Sequence, residues 1–355
     1  MKKTLLALAL APVALLPITS QAAQIYKAED GSMLNMYGRV QGDFKYHDEH
    51  SNPAADGDEK LNGSVSARVG FNGHQVINDD YSLIGQMQYQ LVSNDEDASI
   101  DWQARYVWAG IDMNENGRIE TGRVLSVVTL FSDIGDIFST GGDPVAGYHV
   151  GEVDSSAALI FRQNGTFQYR NEIGNLAFGT ALITNSNVDY GYNAAARYTI
   201  NMGDAGVLKP AAMFQYNQSD DVNADVQDYQ TWGLGSQYFL GGLYLGAAYT
   251  QESMGLRNSS DNADTTGYDF RAAYDFGKWV VRAGYRYLAL DESTNGEDVI
   301  EDAIQTEVQY RLTRQSSIFL NYTDNKGGNS EITSSGASVS GQKGAVFTTS
   351  LRYEW

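Results

Sequence analysis

Residues 34–46 read LNMYGRVQGDFKY, and their polarity alternates with a period of two. One face of an extended strand would carry Asn35, Tyr37, Arg39, Gln41, Asp43 and Lys45, and the other Met36, Gly38, Val40, Gly42, Phe44 and Tyr46. Successive side chains of a strand point to opposite sides of a sheet. The stretch therefore predicts a strand with one polar and one apolar face.

The same alternation recurs along the chain. In residues 62–73, Ser64, Ser66 and Arg68 oppose Val65, Ala67 and Val69. Residues 102–112 set Gln103 and Arg105 against Trp102, Ala104, Tyr106 and Trp108. The last run places Phe347, Thr349, Leu351, Tyr353 and Trp355 on one side, with Thr348, Ser350, Arg352 and Glu354 on the other.

The polar faces decide between a soluble sandwich and a membrane barrel. A sandwich buries one face in a dry core, whereas here aromatic residues bracket the apolar faces and the polar faces carry arginines that a dry core could not hold unpaired. A transmembrane antiparallel β-barrel explains both features. We predict about sixteen strands, over residues 34–46, 62–73, 81–92, 102–112, 117–123, 162–171, 175–184, 190–200, 207–217, 229–239, 242–252, 266–276, 279–290, 303–312, 316–324 and 344–355.

Composition agrees with this class. The mean hydropathy of −0.36 is low, as expected when only every second residue of a strand contacts lipid. The chain has 23 Tyr, 13 Phe and 5 Trp, only 5 Pro, and no Cys, which excludes disulfides and thiolate chemistry. Its net charge of −20 argues against nucleic acid as a partner and would suit divalent cations that bridge to anionic lipopolysaccharide.

The N-terminus predicts export from the cytoplasm. Lys2 and Lys3 precede an apolar run over residues 5–16, and Ser20-Gln21-Ala22 offers a cleavage site of small residues. This pattern is typical of a signal peptide over residues 1–22. The remaining residues, 23–355, are then one barrel domain.

One long segment breaks the alternation. Residues 123–143 read RVLSVVTLFSDIGDIFSTGGD and place three carboxylates, Asp133, Asp136 and Asp143, among apolar residues and glycines. Its composition suits neither a strand nor an ordinary outer loop.

Several pieces of the chain, in this order and spacing, resemble the trimeric general porins of Gram-negative outer membranes. They include Tyr37-Gly38-Arg39, Ala67-Arg68-Val69-Gly70-Phe71, Gly85-Gln86-Met87-Gln88-Tyr89, Arg105-Tyr106-Val107-Trp108-Ala109-Gly110, Arg162-Gln163-Asn164-Gly165 and the terminal Trp355. The resemblance covers nearly all of residues 23–355. It implies an outer-membrane location, a homotrimer, insertion by the barrel-assembly machinery, and an assembly signal that includes Tyr353 and Trp355.

The resemblance also suggests where the segment that breaks the alternation lies in the barrel. Residues 124–161 are similar to the family's third loop, which folds into the lumen and constricts it. By resemblance, Asp136 and Asp143 keep acidic positions, whereas the family's Pro-Glu pair is missing and Gln88 replaces a glutamate. The family's basic side falls on Arg39, Arg68, Arg105 and Arg162.

These residues predict a passive channel for small hydrophilic solutes and ions. Arginines on the lumen face would confront the loop carboxylates Asp133, Asp136 and Asp143 across water, which creates a transverse field. We expect weak cation preference, driven by acidic outer regions. A sugar-selective or anion-preferring channel is the alternative; a sugar track is disfavoured because most Tyr and Trp lie on apolar faces.

Other chemistry finds little support. None of the four histidines, His47, His50, His74 and His149, lies in a recognisable catalytic motif, so an outer-membrane enzyme is disfavoured. His149 could nevertheless tune the inner loop. Asp112–Gly117 resembles the start of a calcium loop, but Arg123 stands where that loop needs a carboxylate, so we predict a turn. We expect no cofactor and no metal.

Overall fold

The computed structural model describes residues 23–51, 60–93, 100–140, 147 and 149–355. For residues 92, 93, 100 and 101 it describes the backbone only. The predicted leader, residues 1–22, and Asp143 lie outside the described residues, as does part of the predicted inner loop.

The described chain is almost entirely β-strand. Its strands are β1 (Ala23–Lys27), β2 (Met33–His47), β3 (Lys60–Val76), β4 (Ser82–Ser93), β5 (Ile100–Asp112), β6 (Arg118–Arg123), β7 (Thr166–Ile173), β8 (Leu176–Ile183), β9 (Val188–Tyr198), β10 (Ile200–Asn201), β11 (Val207–Ser219), β12 (Val226–Leu240), β13 (Leu243–Leu256), β14 (Asn262–Asp275), β15 (Trp279–Leu290), β16 (Val299–Arg311), β17 (Ser316–Asn325), β18 (Asn329–Thr333), β19 (Gly336–Ser340) and β20 (Gly344–Glu354). The helical pieces are α1 (Thr129–Ser132) and the 3₁₀ turns Asn114–Asn116, His149–Glu152, Leu159–Phe161 and Gly203–Ala205.

The strands close into an antiparallel barrel of sixteen positions. Neighbours in sequence pair with each other, and β2 also pairs with β20, which closes the ring. At the seam, the Trp355 amide donates to the Gly38 carbonyl at 3.0 Å, and the Gly38 amide donates back at 2.9 Å. The two short strands add no position, because β1 pairs with β2 beyond the end of β20 and β10 follows β9 beside β11.

All sixteen predicted strands are confirmed, with ends that differ by a few residues. The predicted strand 162–171 is shortened at its start, because the strand begins only at Thr166. The hairpin of β18 and β19 was not predicted; Ala337 and Val339 in this hairpin belong to one buried apolar cluster with Val150 and Val153. The predicted turn at Asp112–Gly117 is a 3₁₀ turn that ends at Gly117, whose φ of 81° suits glycine.

Burial follows the predicted faces. On β20, Leu351 and Tyr353 are exposed on the outside, whereas Ser350 and Arg352 are buried. On β2, Phe44 is 64% exposed and Gln41 only 5%. The apolar band thus faces outward and the polar band inward, the reverse of a soluble protein.

The segment that follows β6, which the structure describes at residues 124–140, 147 and 149–161, lies on the inner side of the sheet, and we call it the inner segment. Phe131 and Ile134 are fully buried, and a Cβ at Gly233 or Gly235 would come within 2.5 or 2.6 Å of their side chains. These two strand glycines therefore allow the segment to approach the wall closely. Within the described part of the chain, no helix is long and apolar enough to cross a bilayer.

Candidate functional site

The four predicted basic residues come together at one cavity. Arg39, Arg68, Arg105 and Arg162 all line a space of about 700 Å³ inside the barrel. None of their guanidinium groups has a carboxylate within 4 Å among the residues described here. We refer to these four residues as the cavity arginines.

Register places Arg39 and Arg68 side by side. The two residues are direct partners across β2 and β3, and Arg68 faces Gln90 across β3 and β4. Arg68 Nε donates to Gln90 Oε1 at 2.7 Å. Like charges at directly opposite positions repel each other, so this pairing keeps positive potential in the cavity at some cost to stability.

A β-bulge positions Arg105. Gln88 pairs with Tyr106, and Tyr89 pairs with Ala104, so Arg105 is the extra residue of β5. Its side chain donates to Gln88 Oε1 at 2.8 Å and to Gln90 Oε1 at 3.1 Å. Amide oxygens hold the guanidinium in place without neutralising it.

The bulge also corrects one prediction from alternation. We predicted Tyr106 and Trp108 on the outer face with Trp102, but Tyr106 lines the cavity and Trp108 Nε1 donates to Gln86 Oε1 at 3.1 Å. An extra residue shifts the phase of a strand, so residues after the bulge exchange faces. Val107 and Ile111 are exposed on the outside instead.

Arg162 reaches the cavity from a loop rather than from a strand. It follows the 3₁₀ turn Leu159–Phe161, and β7 begins only at Thr166. The Arg162 side chain is 9% exposed, and its guanidinium carbon lies 5.7 Å from the Tyr106 ring centre and 5.2 Å from that of Phe161.

Two of the three predicted acidic residues line the same cavity. Asp136 interacts electrostatically with Arg105, Arg68 and Arg162. Asp133 lies nearer another wall, with its Oδ2 3.5 Å from Arg197 Nη1. The described segment thus presents one carboxylate towards the cavity arginines and one away from them.

The inner position raises the pKa of both carboxyl groups. Burial raises the pKa of Asp133 to about 6, although the nearby Arg197 opposes the shift. Burial likewise raises the pKa of Asp136, against the attraction of Arg105 and Arg68. Half of the Asp133 side chain still contacts solvent, so hydration of the charged form limits the upward shift of its pKa.

A buried carboxylate on β16 holds the tip of the inner segment. Glu307 accepts hydrogen bonds from the backbone amides of Ser139 and Thr140 at 2.9–3.1 Å, and from Thr140 Oγ1 at 2.8 Å. Arg282 Nη1 pairs with the same carboxylate at 2.7 Å. From β20, Arg352 donates to the Ser139 carbonyl. Sequence reasoning missed this anchor, and the inward position of Glu307 in its strand was the only available signal.

A second group of inward arginines, on β14 and β15, is neutralised. We call Arg271, Arg282 and Arg286 the paired arginines, because each has a buried carboxylate partner. Their ion pairs are Arg271–Asp269 at 2.6 Å, Arg282–Glu307 at 2.7 Å, Arg286–Asp269 at 3.3 Å and Arg286–Glu301 at 3.3 Å. Such groups stabilise structure and contribute little free charge to the lumen.

His149 ties the later part of the inner segment to the wall. Its Nδ1 lies 2.7 Å from Glu252 Oε2, and its backbone amide donates to Glu252 Oε1 at 3.1 Å. Burial lowers the pKa of His149, but the Glu252 carboxylate outweighs burial, and the net shift is upward. The pair therefore fastens the 3₁₀ turn at His149–Glu152 to β13.

Two further predictions concern the C-terminus and metals. The Tyr353 ring is 48% exposed on the outside and stacks on Trp355 with 5.8 Å between ring centres. Over the described ranges, no cluster of His, Cys, Asp or Glu has the geometry of a metal site.

Comparisons with known proteins all point to one family, the porins. A family model described as Gram-negative porin matches residues 7–330. The chain is 24% identical over 370 residues to porin-like protein L of Photobacterium profundum, covering all of both chains. It is 31% identical to outer membrane porin N of Escherichia coli K12 over 281 residues, which covers 78% of this chain and 65% of that protein.

A solved structure shares the fold. The structure of Salmonella typhi OmpF in complex with daunomycin superposes with a TM-score of 0.72 at 19% identity. The match covers 94% of this chain and all of the other.

Proposed function

This chain belongs to the Gram-negative porin family and forms an outer-membrane channel for passive diffusion, and from that premise we propose that its central cavity favours small hydrophilic anions. Residues 124–140 narrow the lumen in this proposal. Asp136 faces the cavity arginines across the remaining opening and creates the transverse field. The chain is a channel rather than an enzyme.

The charge of the cavity lining carries the proposal. Among the described residues that line it, eight are cationic and four are acidic. Arg282 and Arg311 are neutralised by Glu307 and Asp275 behind the lining, which leaves six cationic residues against the four acidic ones. The cationic residues are Lys45, Arg39, Arg68, Arg105, Arg162, Arg282, Arg311 and Arg352, and the acidic residues are Asp43, Asp133, Asp136 and Glu354. Salt screens electrostatic interactions over about one Debye length, roughly 8 Å at physiological ionic strength. The charges of the lining therefore act on a passing ion more strongly than the charges on distant loops do. The lining therefore favours the anion-preferring alternative over weak cation preference.

A bilayer experiment tests the sign of this preference. Purified protein is inserted into planar bilayers with a KCl gradient, and the reversal potential is measured. We expect a reversal potential of the sign that arises when chloride permeates more readily than potassium. A reversal potential of the cation sign would overturn the proposal and restore the expectation from the net charge of the chain.

Solute uptake separates general diffusion from sugar selectivity. We expect liposome swelling rates that fall smoothly with the size of neutral sugars and do not saturate. Saturable uptake of one sugar, with block by that sugar, would favour the sugar-selective alternative instead.

The assembly follows from family membership. We propose a homotrimer in contact with lipopolysaccharide, exported with residues 1–22 as leader and inserted by the barrel-assembly machinery through a signal that includes Tyr353 and Trp355. Heat-resistant oligomers on unheated gels test the trimer, and the N-terminal sequence of the mature protein tests the leader. Trp355→Ala should lower the folded amount in the outer membrane.

A further inference from the structure

Aromatic rings share the cavity lining with the arginines. Tyr106, Phe138 and Phe161 line the cavity and are partly exposed. Phe319 also borders it but is only 1% exposed, because it packs 4.8 Å from the Arg352 guanidinium. Three rings are thus accessible to a solute, and two of them, Tyr106 and Phe161, lie beside an unneutralised guanidinium group.

Arg162 is the most buried of the cavity arginines. Its side chain is nine-tenths buried, and its Nε is enclosed without a hydrogen-bond partner. In the part of the chain that the structure describes, Arg162 has no carboxylate within 4 Å, and its contacts are with aromatic rings. A buried charge without a counter-ion is unfavourable. The terminal guanidinium nitrogens of Arg162 are not enclosed, so a solute oxyanion that accepts their hydrogen bonds would be stabilised there.

The rings near Arg162 add a second preference. Tyr106 lies close to two guanidinium groups, with Arg105 at 5.8 Å and Arg162 at 5.7 Å from its ring centre. Phe161 lies 5.2 Å from Arg162. Planar guanidinium groups and aromatic rings both stack with flat π-systems. A flat anion would therefore gain contacts that chloride or an aliphatic acid could not make.

We propose that Arg162, Tyr106 and Phe161 form a subsite for small aromatic monocarboxylates. The carboxylate accepts hydrogen bonds from the Arg162 guanidinium, and the ring of the solute packs against Tyr106 and Phe161. This inference rests on the proposed anion-preferring channel and goes beyond it, because charge alone does not distinguish aromatic from aliphatic acids. Asp136, which faces the same guanidinium, disfavours solutes that carry a second negative charge.

Block of the chloride current tests the subsite with two acids of similar size. Benzoate and cyclohexanecarboxylate carry the same charge, but only benzoate is planar and aromatic. We expect half-block by benzoate at a concentration about five-fold lower, on the scale of one cation–π or stacking contact. Equal half-block concentrations for the two acids would overturn the proposal.

Two variants divide the subsite into its parts. Arg162→Gln should weaken block by both acids, because the unpartnered donor is lost. Tyr106→Leu with Phe161→Leu should abolish the five-fold preference and leave a weaker, equal block by both acids. Phe270→Leu, on the outer surface with 54% exposure, is the matched control and should retain the wild-type preference.

The outcomes separate the subsite from the channel function. If the double variant keeps the preference for benzoate, the assignment to these rings is wrong. If the double variant does not fold, two single variants test the proposal. Arg162→Gln must weaken block by both acids, and Phe161→Leu must reduce the preference for benzoate. A cation-type reversal potential of the wild type in KCl would instead contradict the proposed function.

Discussion

The cavity arginines and the paired arginines face the same lumen but have opposite surroundings. Arg68 and Arg105 donate to the amide oxygens of Gln88 and Gln90. Arg282 instead pairs at 2.7 Å with Glu307, a residue that is 1% exposed. An amide positions a guanidinium group and leaves its charge, whereas a carboxylate positions it and removes its charge.

The two groups of arginines differ in role: the paired arginines support the structure, and the cavity arginines are the candidates for function. Removing one partner from a buried ion pair leaves an uncompensated charge, so such pairs strongly constrain the fold. A cluster of like charges without counter-ions is unfavourable for folding, and such strain is common at functional sites. The β14–β16 side of the barrel therefore holds the inner segment, and in the proposed function the β2–β5 side acts on solutes.

The largest effect is expected at the anchor of the inner segment. Glu307→Ala removes the acceptor for Ser139 and Thr140 and leaves Arg282 unpaired, which should lower the free energy of unfolding by about 3–5 kcal/mol. Urea unfolding followed by tryptophan fluorescence measures this change. Single-channel conductance should also rise, because the tip of the segment is released.

An exposed glutamate is the matched control for the anchor. Glu297 lies in the exposed connection between β15 and β16, and Glu297→Ala should leave both stability and conductance unchanged. An unfolding midpoint of Glu307→Ala equal to that of wild type would show that the carboxylate does not hold the segment.

An intermediate effect is expected when one cavity arginine is neutralised. Arg68→Gln removes the repulsion with Arg39, so the free energy of unfolding should stay the same or rise. The anion-to-cation permeability ratio should fall about two- to three-fold. A unit charge some 7 Å from an ion in water contributes roughly 0.25 kcal/mol after screening by salt, with opposite sign for the anion and the cation. Arg314→Gln, in an exposed turn, is the control for reversal-potential measurements. A clear loss of stability without a change in selectivity would assign Arg68 to the structural group.

Much of the fold could be predicted because membrane strands expose their pattern directly. Alternation in residues 34–46 and 344–355 gave both strands of the seam and the correct faces. It failed after Arg105, at Tyr106 and Trp108, because the bulge changes the phase of the strand and no sequence signal marks the extra residue. Arg162 lines the cavity from the loop before β7 rather than from the predicted strand 162–171.

The cavity was easier to predict than its supports. Family resemblance brought Arg39, Arg68, Arg105 and Arg162 together, and the structure places all four on one cavity. The anchors Glu307 and Glu252 depend on which loop atoms reach which strand, and pairing over more than a hundred residues is not encoded in local pattern. Gly233 and Gly235 carried a weak signal, since inward glycines in strands permit close approach of another segment.

The smallest effect is expected from pH. Because burial raises the pKa of Asp133 to about 6, acidification from pH 7.5 to 5 protonates this carboxylate and removes a negative charge from the lining. The anion-to-cation permeability ratio should therefore rise as the pH falls, by less than two-fold because half of the side chain is hydrated. Reversal potentials at the two pH values measure it. Asp133→Asn should reduce the change, and an undiminished response in this variant would assign the titration to another group.

The most direct test of the central claim compares two reversal potentials in the same KCl gradient. The account predicts that the wild type is anion-preferring although the chain carries a net charge of −20, and that the triple variant Arg39→Gln, Arg68→Gln, Arg105→Gln loses this preference. A triple variant with the wild-type reversal potential would contradict the account, because the ion preference would then arise outside the cavity arginines.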